Sequence, residues 1–179
     1  MAHVALKNDY PGIGGLLTSF PETGNILLNL AETLLRGPSS LTSAERETIA
    51  TMVSAGNKCK FCTMSHAAAA RSHWGEDSDI VDSVLAGDYS KLDAKLSALL
   101  AIAEHVRGRV TPTPDHLVQQ ARDAGADDKA IHDTVLIAAA FSMYNRYVEG
   151  LATYAPEGIE AYAAMGERLA KQGYLSPRS

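Results

Sequence analysis

The stretch NKCKFCTMSH at residues 57–66 contains both cysteines of this 179-residue chain, and a histidine follows four residues after the second one. Gly56 and Asn57 tolerate a left-handed backbone, which is typical of the end of a helix. Cys59, Cys62 and His66 then share one face of a second helix, because residues three or four apart are neighbours on a helix surface. The stretch therefore predicts an antiparallel helix hairpin with the CxxC motif at its turn.

Helical patterning extends along the rest of the chain and predicts an all-α fold. Ala and Leu dominate, and strand-type alternation of β-branched residues is absent. We predict one all-helical domain over residues 1–179, with an extended N-terminal arm at 1–20. The predicted helices cover residues 22–36, 42–55, 59–74, 78–86, 91–107, 113–125, 127–153 and 157–171. The second begins with a capping-box pattern at Thr42 and Glu45, and Ser90 is the expected cap of the fifth.

Composition limits the kinds of function to consider. Apolar residues make up 46% of the chain, charged residues 21%, and the net charge is -5. Nucleic-acid binding usually needs a basic face, so we expect no nucleic-acid partner. We also expect no membrane span and no secretory signal, and hence a location in the reducing cytoplasm. There a close cysteine pair is more often metal-binding or catalytic than a structural disulfide.

The segment at 135–141, VLIAAAF, is apolar on every side of its helix. It predicts a position deep in the core or in a subunit interface, and we expect at least a dimer. The polar residues Tyr144, Asn145 and Arg146 follow it. Arg146 and Glu149 are spaced to pair on the helix surface. Alternatively, the cluster of Tyr144, Asn145 and Arg146 lines the site or an oligomer contact.

Glu47 lies as many residues before the predicted turn as His66 lies after it. In an antiparallel hairpin the two side chains reach the same height, and helices about 8–10 Å apart let them meet directly or through one water. A carboxylate that orients a histidine, which accepts a thiol proton from Cys62, is a general way to activate a nucleophile. The helix start and the nearby Lys58 and Lys60 also favour a lowered thiol pKa.

Two other interpretations of the cysteines remain open. A zinc site could use Cys59, Cys62 and His66 with His73 as a fourth ligand, although four ligands on one short helix close poorly into a tetrahedron. The cysteines could also be inert core residues, although the two neighbouring lysines favour partial exposure. Taken alone, His66 would be an ordinary helix histidine and Glu47 a solvated first-turn carboxylate. A redox function is the favoured interpretation.

The complete pattern is E-x11-C-x2-C-x3-H, from Glu47 to His66. It resembles the AhpD-like alkylhydroperoxidases of the carboxymuconolactone decarboxylase superfamily. Three further segments resemble its peroxidase-related branch: FPETG at 20–24, SAERE at 43–47 and FSMYNRYVEGLATY at 141–154. The resemblance covers most of the chain, and its spaced elements together are more specific than a lone CxxC.

The resemblance implies an all-helical subunit that assembles into dimers, trimers or hexamers and needs no metal or organic cofactor. Cys62 would be the peroxidatic nucleophile and Cys59 the resolving cysteine, while His66 and Glu47 would relay the proton. A hydroperoxide would be the substrate, and a thiol reductant that the sequence does not identify would restore the pair. One departure is Phe61, because the best-characterised peroxidase branch has a second histidine there.

Two alternative functions follow from the same residues. In one, the cysteine pair oxidises slowly and changes oligomer contacts, so the protein is a non-catalytic redox sensor or disulfide-exchange protein. In the other, the chain is a decarboxylase or isomerase of the same superfamily. Members of that group lack the cysteine pair, and its presence here favours a cysteine-based peroxidase.

Overall fold

Helices form the regular structure of residues 2–176, the part of the chain that the computed structural model describes. This part contains no strand, and the all-α prediction is confirmed. The helices are α1 (Ile13–Ser19), α2 (Pro21–Arg36), α3 (Ser43–Gly56), α4 (Lys60–Trp74), α5 (Asp79–Leu85), α6 (Ala94–Gly108), α7 (Asp115–Asp123), α8 (Asp128–Gly150) and α9 (Glu160–Gln172).

The predicted N-terminal arm is wrong in its second half, because residues 13–19 form α1. Leu16 and Leu17 on this helix are buried, so apolar packing stabilises it. The nearby glycines and proline favour a loop in the local sequence, which is why the helix was not predicted. Residue 1 lies outside the described residues. The predicted start of α6 also differs, since Asp93 caps it and accepts a hydrogen bond from the Leu96 amide at 2.7 Å. Ser90 lies ahead of that helix.

The hairpin of α3 and α4 is the part of the fold that positions the motif. The predicted capping box is present, with the Thr42 side chain accepting from the Glu45 amide and the Glu45 side chain accepting from the Thr42 amide. At the turn, Asn57 has helical backbone angles, and Lys58 takes the left-handed conformation with φ 59°. The amide of Cys59 then donates to the carbonyl oxygen of Ser54 at 3.0 Å, which closes the helix end.

The left-handed residue is therefore Lys58 rather than Gly56 or Asn57. The Asn57 side chain is used instead to join the turn to α8, since it donates to Asn145 Oδ1 at 2.9 Å. Asn145 in turn donates to the Ser54 hydroxyl at 3.1 Å. These two hydrogen bonds fix the hairpin turn against α8.

Helix α3 lies at the centre of the molecule, in contact with α4, α6 and α8. Every residue from Ala44 to Ser54 is buried, including charged ones. Helix α4 packs between α3 and α9. Its contact with α9 is close because Gly166 has no side chain: a Cβ there would lie 2.4 Å from Ala68 Cβ. The result is a tightly enclosed α4, with the motif at its beginning.

Helix α8 has one buried face and one exposed face. Ile137, Ala138 and Phe141 are buried, whereas Leu136 and Met143 are 38% and 43% exposed. The apolar run at 135–141 is thus only partly in the core of the chain. None of the helices between residues 2 and 176 is both long and apolar enough to cross a bilayer.

Candidate active site

Glu47 on α3 and His66 on α4 meet directly across the hairpin. The His66 Nδ1 atom lies 2.7 Å from Glu47 Oε2, so the contact predicted from their spacing is confirmed. Both side chains are buried, with 0% exposure for Glu47 and 9% for His66. A carboxyl group and an imidazole therefore lie within ion-pair distance of each other inside the protein.

The Glu47 carboxylate accepts two further hydrogen bonds on its other oxygen. Arg36 Nη2 donates to Oε1 at 2.5 Å, and the Tyr174 hydroxyl donates to the same atom at 2.6 Å. Burial raises the pKa of Glu47. The charge and hydrogen bond of His66, the charge of Arg36 and the Tyr174 hydroxyl oppose it and lower the pKa to about 2. Glu47 is therefore a carboxylate throughout the neutral range.

This ionisation fixes the orientation and tautomer of His66. A carboxylate can only accept, so Nδ1 carries the hydrogen of this contact and Nε2 of the neutral ring is left with its lone pair. The ring also packs against two aromatic side chains. Phe141 meets it edge to face with centroids 4.5 Å apart, and Tyr174 stacks at 6.0 Å. His66 is thus held with Nδ1 on Glu47, and Nε2 is the ring nitrogen that this contact leaves free.

The two cysteines are free thiols at the start of α4, and they differ in position. Cys59 occupies the N-cap position of the helix with 0% exposure and without a side-chain capping hydrogen bond, and Cys62 is 3% exposed. The expectation of partial exposure is therefore wrong. The hydrogen bond with Cys62, together with burial, raises the pKa of Cys59, opposite to the predicted direction. Lys60 cannot lower that pKa strongly, because it points outward to pair with Glu157.

A cavity of about 310 Å³ lies beside the hairpin. Cys62 and His66 both line it, and Cys59 is not part of its wall. The wall is formed by Tyr10, Pro11, Ile13, Gly14, Leu17, Leu27, Leu28, Ala31, Phe61, Cys62, Ser65, His66, Phe141, Tyr144, Ala164, Met165, Arg168, Leu169 and Tyr174. Cys62 is therefore the thiol that a ligand in the cavity would meet, with Cys59 enclosed behind it.

Phe61 occupies the position where the resembled peroxidases have a second histidine. Its ring lies against Gly12, where an added Cβ would come within 2.1 Å of the ring, and its centroid is 6.0 Å from that of Tyr162. Phe61 is an apolar wall residue with no group that carries a proton. His66 is thus the imidazole that shares the cavity wall with Cys62.

Arg36 and Tyr174 are the site residues that the sequence pattern did not reveal. Arg36 ends α2, and its guanidinium carbon lies 5.2 Å from the centre of the Tyr174 ring. Tyr174 follows α9, and its amide donates to Glu32 Oε2 at 2.6 Å, which fixes the segment against α2. Neither residue belongs to the hairpin motif, and only the tertiary fold brings them to Glu47.

The polar residues after the apolar run have several roles. Tyr144 lines the cavity and donates to the carbonyl oxygen of Leu27 at 2.9 Å. Arg146 donates to the carbonyl oxygen of Ser142 at 2.8 Å. Glu149 lies beside the Cys59 thiol.

Within residues 2–176, no group of three or more His, Cys, Asp or Glu side chains is arranged to hold a metal ion.

The chain has an AhpD-like helical fold, with the two cysteines, His66 and Glu47 enclosed in one hairpin. Residues 21–105 match the model of the carboxymuconolactone decarboxylase family. This match and the structural similarities below support the AhpD/carboxymuconolactone decarboxylase superfamily assignment. A search of curated proteins finds no match.

Three solved structures share the fold. An uncharacterized peroxidase-related protein from Silicibacter sp. is 25% identical with a TM-score of 0.74, over 85% of this chain and 80% of that one. An AhpD-core, peroxidase-related protein from Ralstonia eutropha is 24% identical with a TM-score of 0.75, over 88% and 81%. A protein of unknown function from Agrobacterium tumefaciens is 19% identical with a TM-score of 0.71, over 88% and 100%.

The lowered pKa of Glu47 predicts a stability change in acid. A carboxylate with a lowered folded-state pKa contributes stability above its unfolded value, 4.5, and loses it as pH falls towards about 2. The free energy of unfolding of the wild type should therefore fall by about 2 kcal/mol more between pH 6 and pH 3 than that of Glu47→Gln, because only the wild type has an ionisable group at residue 47. Urea unfolding at both pH values measures this difference.

A matched control is Glu76→Gln, which changes an exposed carboxylate and should preserve the wild-type acid dependence. If Glu47→Gln and wild type lose equal stability between the two pH values, the partners of Glu47 do not lower its pKa as described.

Proposed function

We propose that the protein is a cysteine-based peroxidase that reduces hydroperoxides through a Cys59/Cys62 dithiol–disulfide cycle, with Glu47 and His66 as the proton relay. The observation that carries the proposal is the shared wall of the cavity: Cys62 and His66 both line it, and Glu47 orients the histidine from behind. The enclosed Cys59 next to Cys62 supplies the second thiol.

In the first step, His66 Nε2 accepts the proton of the Cys62 thiol, one helical turn away. The thiolate attacks one peroxide oxygen, the O–O bond breaks, and the second oxygen leaves as an alkoxide that takes the proton from His66. The products are an alcohol and a sulfenic acid on Cys62. Glu47 stays ionised and stabilises the imidazolium that forms in between.

In the second step, the Cys59 sulfur attacks the Cys62 sulfenic sulfur, an S–S bond forms and water leaves. The raised pKa of Cys59 supports this order, because the thiol keeps its proton while Cys62 reacts. A dithiol reductant then restores both thiols by exchange and is itself oxidised to a disulfide. The cycle uses no metal or organic cofactor.

The comparisons support the same class of chemistry. Two of the solved structures are named peroxidase-related, and the third is named as a candidate antioxidant-defence protein. The reductant, and the self-assembly into a dimer, trimer or hexamer, are proposals that come from the sequence resemblance. The exposed apolar face of α8 with Leu136 and Met143 supports self-assembly.

The cysteine roles are tested by adding hydroperoxide to the reduced protein and following thiol loss. Cys62→Ser should lose the fast reaction, because the thiol in the cavity wall is gone. Cys59→Ser should keep the first step and accumulate a sulfenic acid, which mass spectrometry detects after trapping with a cyclic dione. Equal slow rates in wild type and both variants would contradict the peroxidase and favour the non-catalytic redox sensor.

The relay is tested with His66→Gln. The glutamine amide can still donate to Glu47 but has no basic nitrogen, so thiol loss at neutral pH should slow by about 100-fold. Stopped-flow rates between pH 6 and pH 8 measure the effect, with urea unfolding as a check on stability. His116→Gln on the exposed surface is the control and should react like wild type. A His66→Gln variant with unchanged rates across this range would remove His66 from the mechanism.

Self-assembly is tested by light scattering at micromolar concentration. We expect a mass of at least two chains, and Leu136→Glu on the exposed face of α8 should lower it, because a charge in an apolar interface is costly. Ile26→Glu, at another exposed apolar residue, is the control. A monomeric wild type would contradict the expectation.

A further inference from the structure

The wall of the cavity is apolar except for a few polar groups and one permanent charge. Among the wall residues within the described range 2–176, Arg168 is the only Arg, Lys, Asp or Glu side chain. Leu, Ile, Ala, Met and aromatic residues form most of the remaining wall. Tyr10 and Ala164 are wall residues with exposed surface, so the cavity reaches solvent. A ligand that matches this wall has an apolar body and one anionic group.

The Arg168 guanidinium makes only a weak hydrogen bond within the described part of the chain. Its side chain is partly buried, and within residues 2–176 its hydrogen bond goes to the Ser176 hydroxyl at 3.4 Å, a neutral and distant acceptor. The other cation on the same helix differs, since Lys171 pairs with Glu167 at 2.5 Å. The Arg168 guanidinium, with five donors, is therefore available to an anion that enters the cavity.

The position of Arg168 on α9 relates it to the cysteine. Ala164, Met165, Arg168 and Leu169 follow helical spacing, and this one face of α9 lines the cavity. The Ser65 hydroxyl oxygen lies 3.4 Å from Met165 Sδ, so this face of α9 packs against the turn of α4 that follows Cys62. Arg168 is one turn further along the same wall. A single extended ligand can thus reach both the guanidinium and the thiol.

We propose that the cavity binds an amphipathic carboxylate, with its apolar chain against the cavity wall and its carboxylate on Arg168. This inference rests on the proposed function in naming the substrate class: a hydroperoxide that also carries a carboxylate, oriented so that the peroxide meets Cys62. A guanidinium and a carboxylate can form two parallel hydrogen bonds, which fix the ligand in direction as well as in place. A volume of about 310 Å³ is at the small end of the range for ligand pockets and fits a short or medium chain.

Binding is tested first without any peroxide, by isothermal titration calorimetry of the reduced protein with octanoate and with 1-octanol. The wild type should bind octanoate at least about tenfold more tightly than 1-octanol, since a hydrogen bond to a charged group contributes about 1.5–3 kcal/mol. Arg168→Met should remove this preference and leave 1-octanol binding unchanged. Arg168→Gln is a second variant that keeps a polar side chain, and circular dichroism checks that both variants fold.

Lys171→Met is the matched control, because it removes a cation from the same helix outside the cavity wall and should retain the preference for octanoate. An Arg168→Met or Arg168→Gln protein that binds octanoate as tightly as wild type would overturn the proposal. A wild type that binds no octanoate would overturn it as well.

A second measurement separates this inference from the peroxidase proposal. Reduced wild type is mixed with a carboxylated alkyl hydroperoxide and with its methyl ester, and the rate of Cys62 oxidation is followed. The acid should react about tenfold faster than the ester, and Arg168→Met should make the two rates equal. Equal rates in wild type would overturn the substrate class. Arg168-dependent octanoate binding with no oxidation by either peroxide would support the binding site and overturn the peroxidase.

Discussion

The buried carboxylate of Glu47 is the constraint on which the site depends. A charge with no exposure is costly unless donors replace its hydration. Here the donors come from three separate parts of the chain: Arg36 from the end of α2, His66 from α4 and Tyr174 from the segment after α9. Holding one ionised group in the interior therefore requires these parts to meet at one point. The same contacts fix the ring of His66, so what stabilises the charge also positions the base.

Much of the hairpin could be predicted because its spacing is local. The separation of Glu47 and His66 around the turn was sufficient to predict their contact, since two packed helices leave few alternatives. The exact left-handed residue was not predictable in the same way. Lys58 takes that conformation, and the Asn57 side chain donates a hydrogen bond to Asn145, a residue far along the chain. Neither feature can be read from the local spacing of the turn.

The rest of the site depends on contacts between distant segments, which spacing does not encode. Arg36 and Tyr174 lie outside the motif and act only through the fold. The environment of Cys59 was mispredicted for a related reason. The sequence placed it near two lysines and a helix start, whereas packing encloses it against Cys62 and turns Lys60 outward to Glu157. For a buried thiol, the neighbour in contact with it outweighs nearby charges that face the solvent.

The attachment of Tyr174 has a consequence for the order in which the protein is made. Ribosomes synthesise chains from the N-terminus, and the helices of the hairpin emerge well before residue 174. Until that residue arrives, Glu47 Oε1 lacks the hydrogen bond of the Tyr174 phenol, and before α9 is made the cavity also lacks the wall that this helix forms. A nascent chain can therefore carry both thiols without the enclosed chamber around them. The chamber closes only after residue 174 has been synthesised.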